Sequence, residues 1–283
     1  MNRVAIIGSH GFIGSGLRAH LDKCSIGYRS FSSDFPFFTK ETKRIFKGEN
    51  ISDIVFLATE LNPIRAEIEP EKVENELKNL AKTLEFIVDV SPGVNFIFPS
   101  SGGTVYSKSG KDKLETDPAD GANAYGVFKA RCEEIIGSAP ISHLILRISN
   151  VYGGGQRIGR GQGVIAEWIN SAKQEKKVTV IGSLEQSRDF IYIDDLSRAF
   201  EHAVGKRNVN EVINIGSGRA TSLGELIKII HNTSGIPIDV EQKEARYFDV
   251  SQISLNIEKA REVLGWAPLV SLSDGIKIIW QSS

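Results

Sequence analysis

The sequence predicts an α/β fold, a doubly wound parallel sheet with a smaller C-terminal lobe, on three observations. Short apolar runs bounded by turn residues alternate with amphipathic stretches through the first half of the chain, the pattern of parallel strands joined by crossover helices. The first run ends in Gly8-Ser9-His10-Gly11-Phe12-Ile13-Gly14, and glycines at that spacing let the backbone approach a pyrophosphate at a helix N-terminus. After Tyr152 the alternation breaks at Gly153-Gly154-Gly155-Gln156-Arg157-Ile158-Gly159-Arg160-Gly161-Gln162-Gly163, which reads as a mobile connector to a second lobe.

Val4–Ile7 is the first strand, and a helix is expected from Gly14 to about Leu21. Tyr28–Phe31 reads as the second strand. An acidic residue is expected at its end, about 20 residues past the glycines, to hold the adenosine ribose hydroxyls. Ser32 stands there instead, with Asp34 near enough to reach back and Arg29 able to meet a 2′-phosphate. NAD and NADP both stay open.

Ile54–Ala58 reads as a third strand and Val73–Val90 as a long helix with Val73, Leu77, Leu80, Leu84 and Ile87 on one stripe. Asn95–Phe98 is the fourth strand, a helix spans Tyr125–Ile136, and Leu144–Ile148 is the fifth strand. In a parallel sheet the ligand lies beyond the C-terminal strand ends. The glycine turn, Ser101 and Asn150 all follow strands at that edge.

Within Ala124-Tyr125-Gly126-Val127-Phe128-Lys129, a tyrosine and a lysine stand four residues apart, on one helix face. A phenol is a poor base at neutral pH, and a cation beside it favours the phenolate. Such a pair suits taking a proton from a hydroxyl and returning it.

The charge balance, 34 basic against 35 acidic residues, gives no reason to expect nucleic acid or an anionic membrane as partner. No apolar run approaches the ~18–20 residues of a membrane span, and Met1-Asn2-Arg3 runs straight into the first strand without a signal peptide. Cys24 and Cys132 lie far apart and read as reduced thiols in cytosol. Five histidines show no ligand spacing, so no metal site is expected.

Together these segments resemble the extended short-chain dehydrogenase/reductases, of the nucleotide-sugar epimerase and dehydratase type. The resemblance covers almost the whole chain. It is carried by Gly8-x-x-Gly11-x-x-Gly14, Ser100-Ser101-Gly102-Gly103-Thr104-Val105-Tyr106, Tyr125-x-x-x-Lys129 and Leu146-Arg147-Ile148-Ser149-Asn150-Val151-Tyr152-Gly153. Later come Arg188-Asp189-Phe190-Ile191-Tyr192-Ile193-Asp194-Asp195, Asn214-Ile215-Gly216-Ser217-Gly218 and Leu264-Gly265-Trp266-Ala267-Pro268.

The resemblance implies a Rossmann-type domain over 1–152, with a stretch near 183–217 returning to it, and a nucleotide-sugar lobe over 153–283. It implies Tyr125 as acid/base and Lys129 on the nicotinamide ribose. The dinucleotide would lie against Gly8, Gly11, Phe12, Ile13, Gly14, Ser32 and Ala58 as well as this pair. Asn150, Arg188 and Arg246 would hold the substrate diphosphate, where an arginine fork suits phosphate oxygens. The implied reaction is C4 epimerisation of a UDP-sugar through a 4-keto intermediate, with NAD as cofactor, in a cytoplasmic homodimer joined through the Val73–Val90 and Tyr125–Ile136 helices. A 4-ketoreductase using NADPH is the alternative, and a non-catalytic dinucleotide-binding sensor or scaffold the third reading.

One departure matters. In 4-epimerases of this type a Ser or Thr stands three residues before the Val of the Val-Tyr pair; here that place is Gly102. Ser101 is the chosen substitute, with Thr104 the other candidate. No Thr-Asp-Glu sequence is present here, which argues against a 4,6-dehydratase.

In the second half a helix is expected over Val164–Lys173, a strand over Val178–Ile181 and helices over Leu196–Val204 and Leu223–His231. Asp194-Asp195 reads as a cap of the third of these elements, and Ser222-Leu223-Gly224-Glu225 as a capping box for the last. Trp266 and Trp280 read as packing residues.

Overall fold

The structure, a computed structural model, describes residues 3–32, 37–107, 109–159 and 162–282. Asp34, Arg160 and Gly161 lie outside the described residues. The chain opens with β1 (Arg3–Ile7), α1 (Phe12–Lys23), β2 (Tyr28–Phe31), α2 (Lys40–Gly48) and β3 (Ile51–Phe56). Then come α3 (Pro63–Ile68), α4 (Pro70–Val90), β4 (Asn95–Ser101), β5 (Gly110–Lys113), α5 (Ala124–Gly137), β6 (Ser142–Ile148) and β7 (Asn150–Tyr152). The remainder is α6 (Val164–Lys173), β8 (Val178–Ile181), β9 (Ser187–Tyr192), α7 (Ile193–Ala203), β10 (Glu211–Ile215) and β11 (Ala220–Ser222). It closes with α8 (Leu223–Ser234), β12 (Val240–Lys243), β13 (Ile253–Leu255), a π turn at Ala260–Leu264 and α9 (Leu272–Ser282).

Six strands form the main sheet in the order β10-β6-β4-β3-β1-β2, all parallel. Successive side chains of a strand face opposite ways. On β1, Val4 and Ile6 pack with Leu17 and Leu21 of α1 and Leu196 and Phe200 of α7. Ala5 and Ile7 meet Leu80, Leu84 and Ile87 of α4 and Phe128 and Ile136 of α5 on the other face. Each fully buried Val, Ile or Leu contributes about 1.5–3 kcal/mol. With helices on both faces, strand polarity is left to speak only at the ends. The strand order reverses at β1, between β2 and β3, and the crevice above that point is where such sheets take ligands.

Four expectations need correction. β3 spans Ile51–Phe56 rather than Ile54–Ala58, because Ser52 and Asp53 are strand residues with buried partners. Asp53 accepts from Asn95 Nδ2 at 3.0 Å and Gly205 N at 2.9 Å. α1 begins at Phe12, two residues earlier than expected.

Asp195 is no cap either: α7 opens at Ile193 without a side-chain cap, and Asp195 is buried inside its first turn. Its carboxylate accepts from Leu269 N and Val270 N, tying down the chain that leads to α9. The box before α8 is half formed, since Ser222 Oγ accepts from Glu225 N at 3.0 Å while the Glu225 carboxylate pairs with Arg219.

Candidate active site

The glycine turn is packed from below and open above. Gly8 has φ +89°, and a Cβ there would lie 2.7 Å from Ala58 N. A Cβ at Gly14 would meet Gly8 O at 2.6 Å, so α1 sits too close to β1 for any side chain. Gly11 precedes α1 and supplies no side-chain cap. The first N–H groups of α1 and the positive end of its dipole therefore face the crevice, beside Phe12 and Ile13. These features fit a dinucleotide pyrophosphate. Ser32 follows β2 directly, and Arg29 is forked onto Glu49 through Nε at 2.9 and 2.8 Å.

Across the crevice, β4 ends at Ser101 and the chain turns back onto α5. Thr104 Oγ1 donates to Ser101 Oγ at 2.9 Å, so the two candidate hydroxyls are one pair. A Cβ at Gly102 would point into Leu255 Cδ1 at 2.6 Å and the Arg147 carbonyl at 3.0 Å. Position 102 thus faces the protein body and has no room for a hydroxyl-bearing side chain. Gly126 is required because a Cβ there would collide with Thr104 O. That contact seats the Ser101–Thr104 turn against the first turn of α5.

α5 starts at Ala124 because Asn123 Oδ1 accepts from Gly126 N at 2.9 Å. Tyr125 is half-buried beside Phe128, with ring centroids 6.0 Å apart. Lys129 is 3% exposed. Its Nζ donates to Pro99 O at 2.9 Å and lies 5.7 Å from the Tyr125 ring centroid. Behind it, Ser100 Oγ donates to Glu133, and Arg147 forks onto Glu133 with Nη2 at 2.7 Å. Arg147 lies over the Tyr106 ring at 4.9 Å, and Tyr106 OH donates to Asn214 at 2.6 Å. Burial pushes the Tyr106 phenol up to about 12, against the opposing pull of Arg147.

The third part of the site gathers the arginines. Asn150 Nδ2 donates to Asp189 O at 3.1 Å. Arg188 Nη1 donates to Ser187 O at 2.9 Å. Among the described residues no carboxylate lies within ion-pair distance of Arg188. Burial holds its guanidinium below the usual range, Arg246 repels it, and Asp249 opposes both. Arg246 is forked onto Asp249 at 3.0 and 2.9 Å. Of the two guanidiniums at this end, only Arg246 has a carboxylate partner among the described residues. An added anion would find the charge it needs.

Sequence reasoning missed four residues that shape the site. Glu133 and Arg147 form its buried support; the spacing of Lys129 and Glu133, four residues on one helix, was the available signal. Asp189 accepts from Ser217 N at 2.7 Å and Gly218 N at 3.1 Å, fixing the loop after β10; burial pushes its carboxyl up while these donors oppose the shift. Glu67 accepts from Ala124 N at 2.9 Å and Tyr247 OH at 3.0 Å, joining the start of α5 to the segment that carries Arg246.

A doubly wound sheet with a glycine turn at its switch point is a Rossmann-type α/β protein. The model of the NAD dependent epimerase/dehydratase family matches residues 4–216, and the chain belongs to that family. It is 32% identical over 307 residues to the dTDP-4-dehydro-6-deoxyglucose reductase of Escherichia coli, covering 97% of this chain and 95% of that one. The UDP-glucose 4-epimerase of Thermotoga maritima, solved with UDP-glucose, superposes with a TM-score of 0.87 at 27% identity, covering 99% of this chain and 97% of that one. MoeE5, solved with UDP-glucose and NAD, gives a TM-score of 0.86 at 25% identity, covering 100% and 99%.

Proposed function

We propose that the protein epimerises a UDP-linked sugar at C4, with NAD as its resident cofactor. The observation that carries this reading is the buried Lys129 ammonium beside Tyr125 at the ligand edge of the sheet. Held by the glycine turn and Lys129, NAD would supply the reversible hydride transfer at C4. Tyr125 removes the proton of the C4 hydroxyl and returns it after the sugar has turned. Lys129, anchored on Pro99 O, keeps two further N–H donors for a ribose hydroxyl and sets a positive charge beside the phenol. The Ser101–Thr104 pair takes the sugar hydroxyl in place of the side chain that Gly102 lacks. Arg188 and Arg246 neutralise the diphosphate, and Asn150 donates to it.

The family and the Thermotoga and MoeE5 neighbours support the substrate class and the cofactor. A second reading, a nucleotide-sugar 4-ketoreductase, is favoured by the near full-length likeness to the Escherichia coli reductase. The same side chains serve both reactions. Among the described residues no helix is long and apolar enough to cross a membrane, and we place the working enzyme in the cytoplasm as a homodimer through α4 and α5.

Dinucleotide released by denaturing the purified protein, followed by assays on UDP- and dTDP-sugars with and without NADPH, separates the readings. Released NAD with turnover of a UDP-sugar in the absence of reductant is the expected result. Turnover confined to NADPH with a 4-keto sugar would overturn the first reading in favour of the second.

A further inference from the structure

We propose that His20, Cys24 and Glu201 form a binding site for a divalent transition metal of the Zn²⁺ class, which ties α1 to α7. His20 lies in α1 and Cys24 is its C-terminal cap, four residues on and hence on the same face. Glu201 reaches them from α7. Two contacts share one atom: His20 Nε2 is 2.6 Å from Glu201 Oε2 and 3.6 Å from Cys24 Sγ. All three donor atoms lie within 4.8 Å of one another.

Those separations suit a tetrahedral ion. Bonds of about 2.0–2.1 Å to imidazole and about 2.3 Å to thiolate set the two donors about 3.6 Å apart. The His20–Cys24 spacing already has that value. The carboxylate must retreat from 2.6 Å to about 3.3 Å, the separation that two such short bonds impose, and Glu201 is 32% exposed and free to turn. Cys24 is exposed, so solvent can fill a fourth position.

The donor chemistry selects the metal class. A neutral imidazole, a thiolate and a carboxylate carry two negative charges, which a divalent ion cancels. Thiolate and imidazole favour Zn²⁺, Co²⁺ or Cu²⁺ over Mg²⁺ and Ca²⁺, which take oxygen shells. A metal ion takes the place of the thiol proton, so binding releases a proton and weakens as pH falls.

Co²⁺ is the probe that reads the thiolate directly. Chelator-treated protein titrated with Co²⁺ should give a saturable, one-to-one thiolate charge-transfer band with tetrahedral visible bands, displaced by Zn²⁺. Cys24→Ser should abolish the charge-transfer band, His20→Ala should weaken binding at least tenfold, and Cys132→Ser should leave both unchanged. Zn²⁺ should raise the unfolding temperature of the parent protein and leave that of Cys24→Ser unmoved. Absence of the band, or binding that survives Cys24→Ser, would overturn the site and leave His20–Glu201 as a simple ion pair.

Discussion

The two ends of the candidate active site are built on opposite electrostatic terms. At the Tyr125 end the buried polar groups already have partners: Lys129 on Pro99 O, Ser100 and Arg147 on Glu133, Tyr106 on Asn214. At the arginine end Arg188 holds carbonyls and faces another guanidinium. The first end is finished before a ligand arrives, so its groups need no rearrangement as charge develops. The second gains from an anion, so binding is driven far from the reacting carbon. A site divided this way should answer mutation differently at each end.

Removal of the phenol should have the largest effect. Tyr125→Phe is expected to lower kcat by about 10²–10⁴-fold, with circular dichroism and bound dinucleotide unchanged; a loss below tenfold would break the contrast. Glu133→Ala comes next, since it strands a buried arginine. It should cost about 3–5 kcal/mol of stability, measured by urea unfolding, and a cost below 1 kcal/mol would mean that Arg147 finds another partner.

Gly102→Ser should cost about 1–3 kcal/mol through the clash with Leu255. Undiminished stability with faster turnover would instead show that a hydroxyl belongs at 102. Arg188→Met should do least to the ligand-free fold, raising stability by about 1 kcal/mol because a half-buried cation with no carboxylate at ion-pair distance among the described residues is removed. The same variant should raise KM for the sugar nucleotide at least tenfold while kcat changes little; an equal fall in stability would place Arg188 with the first end.

Local pattern made much of this legible. The glycine turn, five of the six strands of the main sheet and the Tyr125–Lys129 pair each declare themselves within a few residues, whereas β10 does not. What stayed hidden depends on partners distant in sequence. The strand read from sequence starts only at Ile54 because the groups that satisfy Asp53, Asn95 and Gly205, come 42 and 152 positions later. Asp195 read as a cap because nothing near it announces Leu269 and Val270. Nothing in the sequence beside Arg29 announces its partner Glu49, 20 positions on. β7, β11 and β13 have three residues each, too few to show a period.

The place of β10 at the rim of the main sheet has a consequence for biosynthesis. Its register partner β6 is complete at Ile148, whereas Glu211–Ile215 emerges only after the whole of 149–210 has been translated. At roughly 5–20 residues per second, the β6 rim stays bare on the ribosome for seconds, with its apolar run Leu144-Ile145-Leu146 beside an unpaired edge. That interval exposes the chain to edge-to-edge association, and it closes when β10 pairs with β6.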